Sequence, residues 1–232
     1  MMPLIDQLFN TPVFAILITV VLYCIFINLQ GRYAWANPLL LASIVLVLIL
    51  YGLHIPYSSY HTGGALLTYL LGPATVALGV PMYKQGIKLK GSLRRLLVVV
   101  LAGSIVGMTT AGVAAWLFGA SHEVVMSMLP KSVTTPIAMA VSTQLHGNPT
   151  LTATMVIVSG LLGSIIGPGV LRMVHILHDH AVGSAVGTSS HAIGTASLIR
   201  NNEVQGSVSS LAMAMAGVIT SILATLLSLF WH

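Results

Sequence analysis

The chain is 232 residues long; 56% of them are apolar and only 6% are Asp, Glu, Lys or Arg, where soluble domains carry about 25% charged residues. A chain this poor in charge cannot cover a water-facing surface, so the composition excludes a soluble globular protein and predicts one covered by lipid. The net charge of +5 does not indicate nucleic-acid binding, because Lys84, Lys88, Lys90, Arg94 and Arg95 fall in one short loop.

Apolar stretches run from Pro12 to Leu29, Pro38 to Leu53, Gly64 to Met82, Leu96 to Phe118, Leu151 to Leu171 and Val204 to Phe230. A crossing needs about 20 residues, so each is read as a crossing, and Val124–Leu145 as a further one, whole or re-entrant. The expected fold is an all-α polytopic membrane protein with about 6–8 segments and at least one broken or re-entrant helix pair. Residues 1–62 are expected to form N-terminal scaffold helices and residues 63–232 a transport core. The first dozen residues contain Asp6 and no Lys or Arg, so no cleavable signal peptide is expected. Lone Cys24 permits no intrachain disulfide and suggests no redox or zinc site. The basic loop is predicted to face the cytoplasm. Working back from it places Arg32 inside and the N-terminus outside. Orientation after Phe118 depends on whether the next segment crosses.

That segment holds a polar island, Pro130-Lys131-Ser132-Val133-Thr134-Thr135-Pro136, inside an apolar run. Each proline lacks an N–H and clashes with the preceding turn, so the helix must break here. Within a bilayer, such backbone is tolerated only when buried in protein or lining a watery cavity. An intramembrane lysine is by default a functional-site candidate; the structural alternative is a lysine that snorkels to the interface.

A shift of sixty residues lays Leu71–Gly107 over Lys131–Gly167 without a gap. Gly103-Ser104-Ile105-Val106-Gly107 meets Gly163-Ser164-Ile165-Ile166-Gly167, and Gly72-Pro73-Ala74-Thr75 meets Ser132-Val133-Thr134-Thr135. Paired interrupted helices in corresponding positions are a transporter pattern. The glycine blocks by themselves are read as close helix packing.

A second polar region runs from Gly183 to Glu203. Gly187 and Gly194 bracket Thr188-Ser189-Ser190-His191, a stretch expected to let backbone amides approach a ligand. Hydroxyls and amides can hold an anion at a helix terminus. His191 could carry a proton, or be a hydrogen-bonded interior residue. His175, His178 and Asp179, spaced for one helix face, invite a metal, but an interfacial cluster is the preferred reading. His54, His61, His122 and His146 read as interfacial. No metal or cofactor site is expected.

Pro130–Ala138 and Gly187–Ala196 resemble the two signature stretches of the LrgB/CidB family. Leu71–Leu78 with Pro81–Lys84, and Gly206–Ala212 with Gly217–Ser221, resemble two more. Two departures stand out: Ser189-Ser190-His191-Ala192 replaces the family's usual Ala-Ser-His-Gly, and Gln205 stands where an acidic residue is common. The resemblance implies a place in the bacterial plasma (inner) membrane and a small LrgA/CidA-like membrane partner. It implies one of two functions: an antiholin-like regulator of murein hydrolase export and autolysis, or, as in related plastid and bacterial proteins, transport of glycolate, glycerate or pyruvate. A homodimer is expected, and an enzyme is not, since there is no nucleophile elbow and only four acidic residues.

The combined expectation is a carrier of small monocarboxylates working by alternating access. Lys131 would meet the carboxylate. Ser132, Thr134, Thr135, Thr75, Ser190, His191 and Thr195 would complete the site. Proton coupling would run through His191 or Lys131. Helix breaks are expected at Pro73, Pro130, Pro136, Gly187 and Gly194, with Lys131–Pro136 facing Gly187–Thr195.

Overall fold

The computed structural model describes residues 11–30, 38–77, 80, 83, 87 and 90–230. The described regular structure is helical: α1 Pro12–Gln30, α2 Pro38–Gly52, α3 Tyr57–Tyr69, α4 Leu71–Ala77, α5 Leu93–Leu117, α6 His122–Met128, α7 Thr135–Gln144, α8 Pro149–Met173, α9 Asp179–Asn201 and α10 Glu203–Phe230. Of these, α1, α5, α8 and α10 are long and apolar enough to cross a membrane. The helix α2 is apolar but shorter. Most of the basic loop, together with Asp6, Arg32 and the side chain of Thr75, lies outside the described residues.

The chain forms two compact units, residues 1–74 and 75–232, whereas the sequence reading divided it at 62/63, inside α3. In the first unit α3 packs on α1, where Gly63 lies against Ala15. Tyr60 Oη and Thr19 Oγ1 are 2.9 Å apart in the same interface.

In the second unit the long helices alternate with two hairpins. The first is α6–α7. Its arms are antiparallel: His122 at the start of α6 and Gln144 and His146 at the end of α7 border one cavity with Leu227 of α10. Midway along it, buried Thr152 of α8 donates to Ser127 O at 2.9 Å and sits 2.7 Å from Ser142 Oγ. The lysine-bearing segment therefore folds back instead of running from end to end. Its turn is residues 129–134, with Pro136 in the first turn of α7, where a proline's missing N–H costs nothing.

The second hairpin lies within α9. His191 has φ 38° and ψ −137°, a sharp reversal inside an otherwise helical stretch. A straight helix would hold Val182 and Leu198 about 24 Å apart; here Val182, Val186 and Leu198 form one buried cluster. At the base, Asp179 Oδ1 accepts from Asn202 Nδ2 at 3.0 Å and from Gln205 Nε2 at 2.8 Å, clasping the two arms together.

The hairpins enter from opposite ends of the unit. Hairpin 1 follows the C-terminus of α5. Hairpin 2 follows the C-terminus of α8 and starts beside Arg95, which shares a cavity with His178 and His180. The sequence α5–hairpin 1 is thus followed by α8–hairpin 2 running the other way. The shift of sixty residues, carried past Gly107, sets α5 on α8 and Lys131 on His191. The helix α10 runs through the centre, with 44% of its apolar window buried against 28% for α5 and 22% for α8. One buried cluster joins Leu96 and Val100 of α5, Val133 and Ala138 of hairpin 1, Val156 of α8, and Val208, Leu211 and Ala216 of α10.

Three expected breaks fall elsewhere. Pro73 lies inside α4, and the helix before it ends at its C-cap Leu70. Gly187 and Gly194 are helical; the turn comes at His191, between them. Gly187 and Gly194 serve close packing instead, the first against the Ser209 backbone and the second against Ser190 and Val186.

Histidines take a second, unanticipated part. The described non-glycine residues with positive φ are His54, His146, His175 and His191. The first three end helices: Ile55 N donates to Leu50 O, Gly147 N to Ser142 O and Ile176 N to Leu171 O, each bond reaching back five residues. This is the left-handed cap that glycine usually supplies, as Gly119 does after α5. His175 is therefore a cap outside any helix, and α9 begins only at Asp179. The proposed shared helix face of His175, His178 and Asp179 does not exist. His178 Nδ1 accepts from His180 N at 3.3 Å, and the Asp179 carboxylate is held by Asn202 and Gln205.

Candidate functional site

Both hairpin tips rest on the middle of α8. Its start is fixed by Asn148, whose side chain accepts from Thr150 N at 3.0 Å and Leu151 N at 3.2 Å, with Pro149 opening the first turn. Ser159 lies about 15 Å along it, near half the thickness of a bilayer's hydrocarbon core. There Ser159 Oγ donates to Lys131 O at 2.7 Å, tying down the turn of hairpin 1. One turn earlier, Val156 O accepts from His191 Nε2 at 2.9 Å, tying down hairpin 2. A single turn of α8 thus holds both tips.

Glycine on α8 makes the second contact close. A Cβ at Gly160 would lie 2.7 Å from the His191 ring, and one at Gly163 would overlap Ser190 Oγ. On α5, Gly103 does the same for Thr188, whose Cγ2 would lie 3.0 Å from an added Cβ, while Gly107 faces Ser132 Oγ at an ordinary 3.8 Å from such a Cβ. The small-residue blocks read as helix packing are the surfaces on which the hairpin tips sit.

Lys131 is half-buried, and its Nζ donates to Ser132 Oγ at 3.3 Å. The described acidic residues Glu123, Asp179 and Glu203 each open a helix at an end of the unit, away from the tips. His191 is 2% exposed.

Among the other expected site residues, Ser190 is buried beside Gly163, with its Oγ 3.0 Å from Ser189 Oγ. Thr134 precedes α7 with its hydroxyl buried and unpartnered, and Thr135 begins that helix. Thr195 faces α10 instead of hairpin 1: its Oγ1 donates to His191 O at 2.7 Å and lies 2.8 Å from Ser209 Oγ. It braces the second tip from behind. The structure thus brings Lys131 and Ser132 together with Ser190 and His191 and sets Thr195 apart.

Sequence reasoning missed three contributors. Ser159 gave no signal, being one serine on an apolar helix. Thr188 was read only as part of a polar run. Ser104 lay inside the Gly103–Gly107 block, whose alternation of small residues was the available clue. Ser104, Ser132, Thr188 and Thr220, with Met108, Leu129, Pro130 and Val133, border a small cavity between the turn of hairpin 1 and Thr188 of hairpin 2, with room for about one water.

The whole of this geometry falls inside a match to the LrgB-like family model that spans residues 19–230. The chain belongs to the LrgB-like family. It is 42% identical over 188 residues to an uncharacterised protein of Haemophilus influenzae, covering 81% of each chain. It is 41% identical over 187 residues to the uncharacterised protein YwbG of Bacillus subtilis, covering 80% of this chain and 83% of that one. It is also 34% identical over 219 residues to the holin-like protein CidB of Staphylococcus aureus, covering 94% of this chain and 96% of that one. No solved structure matches it. Membership supports a membrane protein, in line with the four long apolar helices.

Proposed function

We propose that this LrgB-like protein carries small monocarboxylate anions of the pyruvate, glycolate or glycerate class across the bacterial inner membrane by alternating access. One observation carries the reading: two hairpins from opposite ends meet at mid-depth, one with Lys131 at its turn and the other with His191. Broken helices that meet at the midplane around a charged side chain are how secondary carriers build a site without exposing backbone to lipid.

Leaving a lysine at that depth costs about 2.5 to 3.5 kcal/mol on insertion scales. A packing role has no use for the charge, whereas a single carboxylate offsets it. The tips enclose space for about one water, so an acid enters only as they part. A gate of this kind opens to one side as hairpin 1 withdraws and to the other as hairpin 2 does. The cavity bordered by Arg95, His178 and His180 lies at the base of hairpin 2 and draws anions toward it. His191 or Lys131 is the proton carrier if transport is proton-coupled.

A second reading is an antiholin-like regulator of murein hydrolase export that acts with a small LrgA/CidA-like partner. It is favoured by the holin-like name of the Staphylococcus aureus relative. A homodimer would serve as scaffold in either case.

The deciding experiment is uptake of labelled pyruvate and glycolate by proteoliposomes holding the purified chain, with Lys131→Met alongside. Saturable uptake that falls at least about a hundredfold in the folded variant supports the carrier. Absence of uptake from folded protein, with and without the small partner, leaves the regulator.

A further inference from the structure

On α5, Thr109 and Thr110 donate to the carbonyls four residues back, Ile105 O at 2.8 Å and Val106 O at 2.7 Å. This is what a hydroxyl on an apolar helix does when no other partner is present. Ser104 on the same helix does not. It is 6% exposed, its Oγ has no hydrogen-bond partner, and it borders the one-water cavity between the tips. Gly103 beside it lets Thr188 of hairpin 2 approach closely, and Gly107, one turn on, faces Ser132 of hairpin 1.

We propose that Ser104, with Ser132 and Thr188, forms a subsite for the 2-hydroxyl oxygen of a short 2-hydroxy acid whose carboxylate lies at Lys131. The proposal rests on the carrier reading above and extends it to residues outside the two tip motifs. The cavity has room for one oxygen atom rather than a whole acid, which suits a single substituent. The hydroxyls of Ser104, Ser132, Thr188 and Thr220 share the lining with Met108, Leu129, Pro130 and Val133, so hydrogen bonding to the hydroxyls selects the substituent, Thr220 being able to donate or accept. Ser104 has a free O–H. Ser132 Oγ accepts from Lys131 Nζ, which leaves its own proton to donate. Thr188 has committed its proton to Ser184 O at 2.7 Å, so all it can offer a ligand is lone pairs. A ligand hydroxyl accepts from the serines and donates to Thr188. A keto oxygen satisfies only the serines, and a hydrogen satisfies neither.

The test is uptake by the reconstituted full chain of three acids with one carbon skeleton: 2-hydroxypropionate, 2-oxopropionate and propionate. The expected order in kcat/KM is hydroxy, then oxo, then unsubstituted, with hydroxy ahead of propionate by about tenfold or more. Ser104→Ala should bring the three within about threefold of one another, by lowering uptake of the hydroxy acid. The variant should fold as wild type does, since the hydroxyl removed has no partner to strand. A preference that survives Ser104→Ala, or no preference in the wild type, overturns the subsite and leaves the cavity to a structural water. Uptake of none of the three overturns the carrier reading and the subsite with it.

Discussion

Hairpin 1 turns through residues that cannot continue a helix, with Pro130 and Pro136 bracketing Lys131 and Ser132. Hairpin 2 contains no proline, and none follows Pro168 in the chain. It reverses at one histidine whose φ of 38° is unfavourable for any residue with a Cβ. What holds it there comes from elsewhere: Val156 O on the ring, Gly160 clearing room for that ring, Ser209 behind Thr195, and the Asp179 clasp at the base. Two turns at one depth are therefore specified in different ways, one by local chemistry and one by tertiary contacts. Hairpin 1 should tolerate the loss of any single turn signal, and hairpin 2 should fail when a distant partner changes.

The largest stability effect is expected at Gly187, where an added methyl would strike the backbone of Ser209 and Cα of α10 lies 2.9 Å away. Backbone cannot rotate aside, so Gly187→Ala should cost about 2–3 kcal/mol, read as a fall in thermal stability in detergent. Survival at wild-type stability would mean hairpin 2 is not locked against α10. At the turn itself, His191→Ala keeps the strained backbone and loses the ring's bond to Val156, whereas His191→Gly loses only the bond. The glycine variant should be the more stable of the pair by about 1 kcal/mol or more. By contrast, His146→Gly should be neutral or stabilising, because that histidine only fills a left-handed helix cap.

Asp179→Ala should cost about 1 kcal/mol, since the carboxylate accepts two amide bonds while only partly buried. Its signature would be faster amide exchange near Asn201–Gly206 than in hairpin 1. The smallest effect is expected for Pro136→Ala, below about 1 kcal/mol, because Pro130 and the polar turn remain. If Pro136→Ala instead unfolded the segment, the local account of hairpin 1 would fall.

The reading of the chain reached the long helices closely. Pro12–Leu29 became Pro12–Gln30, Leu96–Phe118 became Leu93–Leu117, and Leu151–Leu171 became Pro149–Met173. These were legible because apolar length and end signals such as Asn148-Pro149 act within a few residues. The same local logic found the break at Pro130–Pro136 and the interest of Lys131. It misplaced the second break onto Gly187 and Gly194, because glycine permits a turn but does not require one. It also grouped His175 with His178 and Asp179, because spacing is informative only if a helix is present.

The sequence by itself determined a membrane-type, all-helical chain, the places where helices must stop, and membership of the LrgB-like family. Tertiary structure decided where the chain went after each stop. A missing N–H or an apolar run acts on its own neighbours, whereas turning back or crossing depends on which distant surface is there to be buried. That is why Lys131 and His191, sixty residues apart, meet on one turn of α8. It is also why an ordinary-looking Ser104 ends up with a buried hydroxyl at a cavity shared by Ser132 of one hairpin and Thr188 of the other.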